Sequence, residues 1–210
     1  MFDSILQYLD WFGICIFALS GTLVASRKRM DVVGFAFLGC VTGIGGGTVR
    51  DVLLGSLPVF WVKQPAYVIT CLLVSCTAFF LVHHVRSRLR LLLWCDAVGL
   101  ALFSVTGAAT GVASGAGPTI AIVMGVATAT FGGVIRDMLG GEIPIILRRE
   151  IYVTAALLGA ATFATFLALG ASRDAALVAG FLAAFALRAA AIVLGLSLPV
   201  FSGTGATNDE

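Results

Sequence analysis

The chain is poor in charge. Of 210 residues, 11% are Asp, Glu, Lys or Arg, against about 25% in ordinary soluble domains. It has two histidines, no His-Glu-x-x-His segment, no Ser/His/Asp set and no Cys-x-x-Cys pair. Metal-assisted and triad chemistry therefore have no footing, and no enzyme is expected. With so few basic residues no nucleic-acid partner is expected either. Cys15, Cys40, Cys71, Cys76 and Cys95 lie within or beside apolar stretches, so they are expected to be buried free thiols rather than a disulfide frame. The N-terminal segment carries Asp3 and Asp10 where a secretory signal would be basic, and no signal peptide is expected.

What the chain has in excess is apolar sequence, 60% of it, with 25 glycines besides. A bilayer core of ~30 Å needs ~20 apolar residues per helix. Seven such stretches can be marked, at 5–26, 32–54, 66–85, 91–113, 118–139, 151–169 and 175–196. The expected class is an all-α integral membrane protein. Trp11, Trp61 and Trp94 fall near stretch ends, as an interfacial aromatic belt predicts. Loops 1, 3 and 5 carry Arg27, Lys28, Arg29, Arg86, Arg88, Arg90, Arg136, Arg148 and Arg149, whereas loops 2, 4 and 6 carry only Arg50, Lys63 and Arg173. The positive-inside rule then places the N-terminus outside and the C-terminus in the cytoplasm. His83 and His84, at a basic boundary, are expected to be interfacial.

The two halves of the chain align without a gap at a shift of 86. Asp10, Gly13, Phe17 and Gly21 meet Asp96, Gly99, Phe103 and Gly107, and Gly39 and Thr42 meet Gly125 and Thr128. Gly46-Gly47-x-x-Arg50-Asp51 meets Gly132-Gly133-x-x-Arg136-Asp137, and Leu53, Gly55 and Pro58 meet Leu139, Gly141 and Pro144. Chance Ala and Leu matches do not produce such a block. Three spans per repeat is an odd number, so the second copy enters the membrane from the opposite side. Inverted repeats of this kind are frequent in transport proteins, with the pathway between the halves. The expected organisation is a first three-helix repeat at 5–86, a second at 91–170, an extra helix at 175–196 and a flexible cytoplasmic tail at 197–210.

The glycine runs admit two readings. Each Gly costs a helix interior ~1 kcal/mol relative to Ala, so Gly45, Gly46 and Gly47, followed by Thr48, favour a kinked or unwound turn whose freed backbone lines a polar pathway. Alternatively the glycines only let helices approach closely. Arg50 and Asp51 are chain neighbours, as are Arg136 and Asp137. Helical neighbours do not face one another, so each is expected to find its partner elsewhere, with Asp10 and Asp96 the candidates. Arg188, near the middle of the seventh stretch, needs a partner or water.

GGGTVRD at 45–51 together with GGVIRD at 132–137, seven spans and a 3+3+1 repeat resemble the bacterial members of the trimeric intracellular cation (TRIC) channel family. That resemblance implies a homotrimer in the bacterial inner membrane with a pore in each subunit. Kinked second and fifth helices would line it through Gly45, Gly46, Gly47, Thr48, Gly132 and Gly133. Arg50, Asp51, Arg136 and Asp137 would form its gate or charged network, with Asp10 and Asp96. It implies monovalent cations as permeant partners, potassium the expected ion and sodium a second candidate, with membrane lipid as a further partner and no cofactor. The same bacterial family has also been labelled as transporters of a small amino acid such as glycine, which is the alternative.

Overall fold

The computed structural model describes residues 2–82 and 87–199. His83, His84, Arg86 and most of the 197–210 tail lie outside the described residues. The elements are α1 (Phe2–Arg27), α2 (Val32–Leu53), the four-residue α3 (Phe60–Lys63), α4 (Ala66–Leu81), α5 (Arg88–Ala113), α6 (Pro118–Leu139), a 3-10 turn (Ile145–Leu147), α7 (Val153–Ala168) and α8 (Arg173–Leu194). Within the described residues each of the seven expected stretches contains a helix. Five of them, α1, α2, α5, α6 and α8, are long and apolar enough to cross a bilayer. The other two, α4 and α7, have 16 residues each and rise ~24 Å at 1.5 Å per residue. Each follows a loop and a single short helical turn, α3 before α4 and the 3-10 turn before α7.

The repeat organises the fold in three dimensions. Helices α1 and α5 both have 26 residues, and α2 and α6 both have 22. Phe17 and Phe103, equivalent by the shift of 86, stack edge to face with centroids 5.0 Å apart. Gly13 lies under the Phe103 ring and Gly99 under Phe17. The same exchange holds at the crossing of α2 and α6: a Cβ on Gly46 would strike the Thr128 carbonyl oxygen, and one on Gly132 would lie 2.6 Å from that of Thr42. Contacts that swap partners under one shift are the mark of a two-fold relation. Without a hydrophobic drive between helices in lipid, such small-residue contacts hold membrane helices together by close packing.

Asp31 starts α2 by accepting a hydrogen bond from the Gly34 N–H at 2.8 Å, as an N-cap carboxylate does. Helices α2 and α6 end alike, with Gly55 and Gly141 at φ of 66° and 63° and with Ser56 N donating to Asp51 O and Glu142 N to Asp137 O. This is the Schellman close, where glycine takes the left-handed position at no steric cost. Both helices stay helical through their glycine runs. The expected kinks are therefore not unwound turns, and the glycines act as points of close approach.

The loops sort onto two faces. Gln7 donates to Gln64, joining the N-terminal helix start to loop 2. On the other face Glu142 gathers Arg27, Lys28 and Arg148, Arg88 reaches the Ser26 carbonyl, and Glu150 bridges to Ser197. The outer surface carries large apolar side chains such as Leu73, Phe80, Leu169 and Leu182, a surface suited to lipid rather than water. Cys71 is buried, Cys15, Cys40 and Cys95 are half-buried and Cys76 is exposed on that surface, all as free thiols. The expectation of burial therefore fails for Cys76, which faces outward from α4.

Candidate functional site

The charged residues of the two repeats lie at the last turn of α2 and of α6, on opposite faces of the helix crossing. In the second repeat they form a closed cluster. Arg136 is fully buried. Its Nε donates to Asp137 Oδ1 at 2.8 Å, and its Nη1 donates to Asp96 Oδ1 at 2.8 Å and to Ser20 Oγ at 3.0 Å. Asp137 Oδ2 accepts the Ile145 N–H at 3.0 Å, tying the loop after α6 back to the helix. Asp96 is itself fully buried, so this pairing neutralises charge in a medium where a lone ion costs at least several kcal/mol. Gly133 leaves room for the Tyr152 hydroxyl, which a Cβ there would meet at 2.9 Å.

The first repeat has the same residues and a different network. Arg50 Nε donates to Asp51 Oδ1 at 2.9 Å, and Asp51 Oδ2 accepts the Phe60 N–H at 2.8 Å. Arg50 Nη1, however, reaches Thr110 Oγ1 at 3.5 Å, and its guanidinium lies 5.7 Å from the centre of the Phe60 ring. Among the described residues no ion pair joins it to Asp10, whose Oδ1 is buried without a hydrogen-bond partner. Asp10, Arg50, Gly43, Gly47, Phe60 and Thr128 line a narrow cavity there. Thr48 is held away from it: its hydroxyl donates to the Ile44 carbonyl and accepts from Trp61 Nε1 at 3.0 Å.

The two motifs thus stand at the two mouths of the α2–α6 crossing, with Gly45, Gly46, Gly132 and Gly133 between them. The expected Asp96–Arg136 pair forms and the expected Asp10–Arg50 pair does not. The expectation that chain neighbours cannot pair is corrected, since both Arg–Asp neighbours are in contact at 2.8 Å. The rule concerns side chains of ordinary reach, whereas an arginine at a helix end can fold over its own successor. Arg50 and Arg136 are buried and drop out of the loop tally, one from each side, so the basic bias is unchanged.

Two contributors were not anticipated, Tyr152 and Glu150, the second of which is the partner that Arg188 needed. Tyr152 sits beneath the Arg136 cluster. Glu150 pairs with Arg188 Nη2 at 2.7 Å, while Arg188 Nη1 donates to the Ile151 carbonyl at 3.1 Å and its guanidinium stands 5.2 Å from the Tyr152 ring. Arg188 therefore turns inward and braces α8 against the start of α7. A tyrosine two residues after an acid, with an arginine inside the next apolar span, is the signal that could have found this brace.

A sequence model described as "Glycine transporter" matches residues 7–83 and 93–168. The "UPF0126 membrane protein" of Vibrio cholerae is 43% identical over 203 residues, 95% of this chain and 84% of that one. The "UPF0126 inner membrane protein YadS" of Escherichia coli K12 is 46% identical over 165 residues, 77% of this chain and 78% of that one. A solved TRIC trimeric intracellular cation channel orthologue from Rhodobacter sphaeroides superposes with a TM-score of 0.90 at 63% identity, covering 92% of this chain and all of that one. The chain belongs to the bacterial TRIC channel family, whose sequence model bears the glycine-transporter description.

Proposed function

We propose that the protein is a monovalent cation channel of the bacterial inner membrane, a homotrimer with one pathway in each subunit, between residues 5–86 and 91–170. Potassium is the expected permeant ion, with the N-terminus outside and the C-terminus in the cytoplasm. The observation that carries this reading is a buried Arg–Asp cluster at each mouth of the α2–α6 crossing. Ionisable groups inside apolar helices are costly and mark ion pathways. The glycines of the crossing thin its wall, and Arg50, Asp51, Asp10, Arg136, Asp137 and Asp96 act as gates to either side. The related channel from Rhodobacter sphaeroides, described as trimeric, supports the assembly. Helix α8 lies outside the repeat and stabilises the second half through Arg188.

The family description favours a second reading, a carrier of glycine. Arg50 and Asp10 do present opposite charges to one cavity, as a zwitterion would require. Its open volume is about 10 Å³, near the ~10–15 Å³ that one water molecule needs and too small for an amino acid. The test is purified protein in liposomes with an outward potassium gradient, with and without a proton ionophore, and glycine uptake in the same vesicles. Potassium flux with unitary currents in a planar bilayer and no glycine accumulation is expected. Gradient-driven, saturable glycine uptake without unitary currents would replace the channel with the carrier. Arg50→Ala is expected to change conductance or open probability severalfold, while Arg173→Ala leaves both near wild type.

A further inference from the structure

Three polar groups of the second repeat converge on Gly133. A Cβ on that glycine would stand 2.9 Å from the Tyr152 hydroxyl, 3.5 Å from Asp96 Oδ1 and 3.6 Å from Arg136 Nη2. Arg136 Nη2 is in ion-pair contact with Asp137 at 2.8 Å, and Asp96 Oδ1 is held by Arg136 Nη1. Asp96 Oδ2 and the Tyr152 oxygen, by contrast, are both buried without a hydrogen-bond partner. A phenol can donate, whereas an ionised carboxylate only accepts. Buried groups of this kind are normally bonded. The cluster therefore holds an unused donor and an unused acceptor close to the space that the missing side chain leaves.

The phenol is fixed from its other side. Tyr152 is 1% exposed and directly precedes α7. The Arg188 guanidinium stands 5.2 Å from the centre of its ring. Arg188 is itself tied to Glu150 Oε2 at 2.7 Å and to the Ile151 carbonyl at 3.1 Å. It belongs to α8, the helix with no counterpart in the first repeat. Tyr152 thus lies between the charge that α8 brings and the charge that α6 brings. For Arg136 to open this mouth it must release Asp96, and a buried carboxylate stripped of its partner is strongly unfavourable. We propose that Tyr152 is a positioning residue of this mouth: as Arg136 leaves, the Tyr152 hydroxyl donates to Asp96 in its place, and Arg188 holds the ring ready for that exchange. The inference rests on the channel reading, which supplies the reason for Arg136 to move.

Unitary currents and melting curves of the full-length protein test it. Tyr152→Phe keeps the ring and loses the hydroxyl. It is expected to leave unitary conductance and melting temperature near wild type, because the closed state does not use the hydroxyl. Open probability should fall at least about tenfold, the scale of one hydrogen bond to a charged group. Arg188→Gln frees the ring and should reproduce part of that fall, and Arg188→Lys should recover some of it. Added to Tyr152→Phe, Arg188→Gln should lower open probability little further, since both act on one exchange. Tyr8→Phe, on an exposed ring, should change nothing. Arg136→Met imitates the departed arginine and needs no current. In that background Tyr152→Phe should lower the melting temperature by several degrees, although it does not do so alone. If Arg136→Met does not fold, the open probability of Tyr152→Phe still decides. Wild-type open probability in Tyr152→Phe, or equal melting shifts in the two backgrounds, overturns the inference and leaves the channel standing. Unequal shifts in a protein without unitary currents would keep the exchange of partners and remove the channel.

Discussion

The two repeats carry the same three charged residues and treat them differently. In the second, Arg136 is sealed among Asp96, Asp137 and Ser20. In the first, Arg50 leans on a threonine and an aromatic ring, and Asp10 lacks the arginine that Asp96 holds, although each aspartate keeps one oxygen without a hydrogen-bond partner. The scaffold beneath them is nearly identical, down to the glycine closes of α2 and α6. The contrast separates what the two repeats share from what they do not. Reciprocal glycine contacts and helix ends are kept in duplicate. The pairing of the arginine is the feature that differs, which on the proposed channel reading would let the two mouths of the pathway close by different contacts.

The most damaging way to break the comparison is to destroy what the halves share. Gly46→Leu places a branched side chain against the Thr128 carbonyl, backbone that cannot retreat. Overpacking commonly costs 1–3 kcal/mol and more where backbone must move, so Gly46→Leu is expected to abolish monodisperse protein on size-exclusion chromatography in detergent. One residue earlier, a Cβ on Gly45 comes closest to Ile135 Cδ1 at 3.2 Å, the far end of a flexible side chain, and meets the Gly132 Cα at an ordinary 3.7 Å, so Gly45→Ala should purify like wild type. Equal behaviour of the two would remove the crossing as a contact of backbone on backbone.

The next largest effect lies between the arginines. Arg136→Gln strands two buried carboxylates, and removal of one partner from a buried pair costs about 3–5 kcal/mol. Arg50→Gln loses its hydrogen bonds to Asp51 and Thr110, but Asp51 keeps the Phe60 N–H, and about 1.5–3 kcal/mol is the scale for bonds to a charged group. Melting curves of both variants in one detergent should therefore rank Arg136→Gln below Arg50→Gln, with wild type above both. The reverse order would mean that the locked cluster contributes less to stability than the open one.

How far this contrast was legible in the sequence depends on which residues carry it. The shift of 86 exposes the shared frame, because glycines at contacts and helix ends cannot be exchanged and so match. It also yields the Asp96 partner of Arg136. It hides the asymmetry, since every charged residue involved is identical in both halves. That difference sits in uncharged positions, Thr110 against Val24 and Phe60 against Ile146, which matter only once the arginine's reach is known. The Arg–Asp neighbour contacts were missed because helical spacing says nothing of a side chain that doubles back. Tyr152 was missed because its nearest counterpart, Tyr67, falls one residue out of register; it stacks on Trp11 at 4.2 Å rather than entering the charged cluster.

The smallest effect sharpens the comparison by showing where it should vanish. Gly55 and Gly141 share a positive φ, and a Cβ on either would point into open space. Their only penalty on becoming alanine is the left-handed backbone, about 1–2 kcal/mol, reduced by the restriction that alanine places on the unfolded chain. Gly55→Ala and Gly141→Ala should therefore lower the melting temperature by similar small amounts, a net loss near ~1 kcal/mol each. A much larger loss at Gly141 would show that the turn after α6 transmits strain into the Arg136 cluster through Asp137, whose Oδ2 holds the Ile145 N–H. Equal losses would confine the asymmetry to the arginines and their immediate partners.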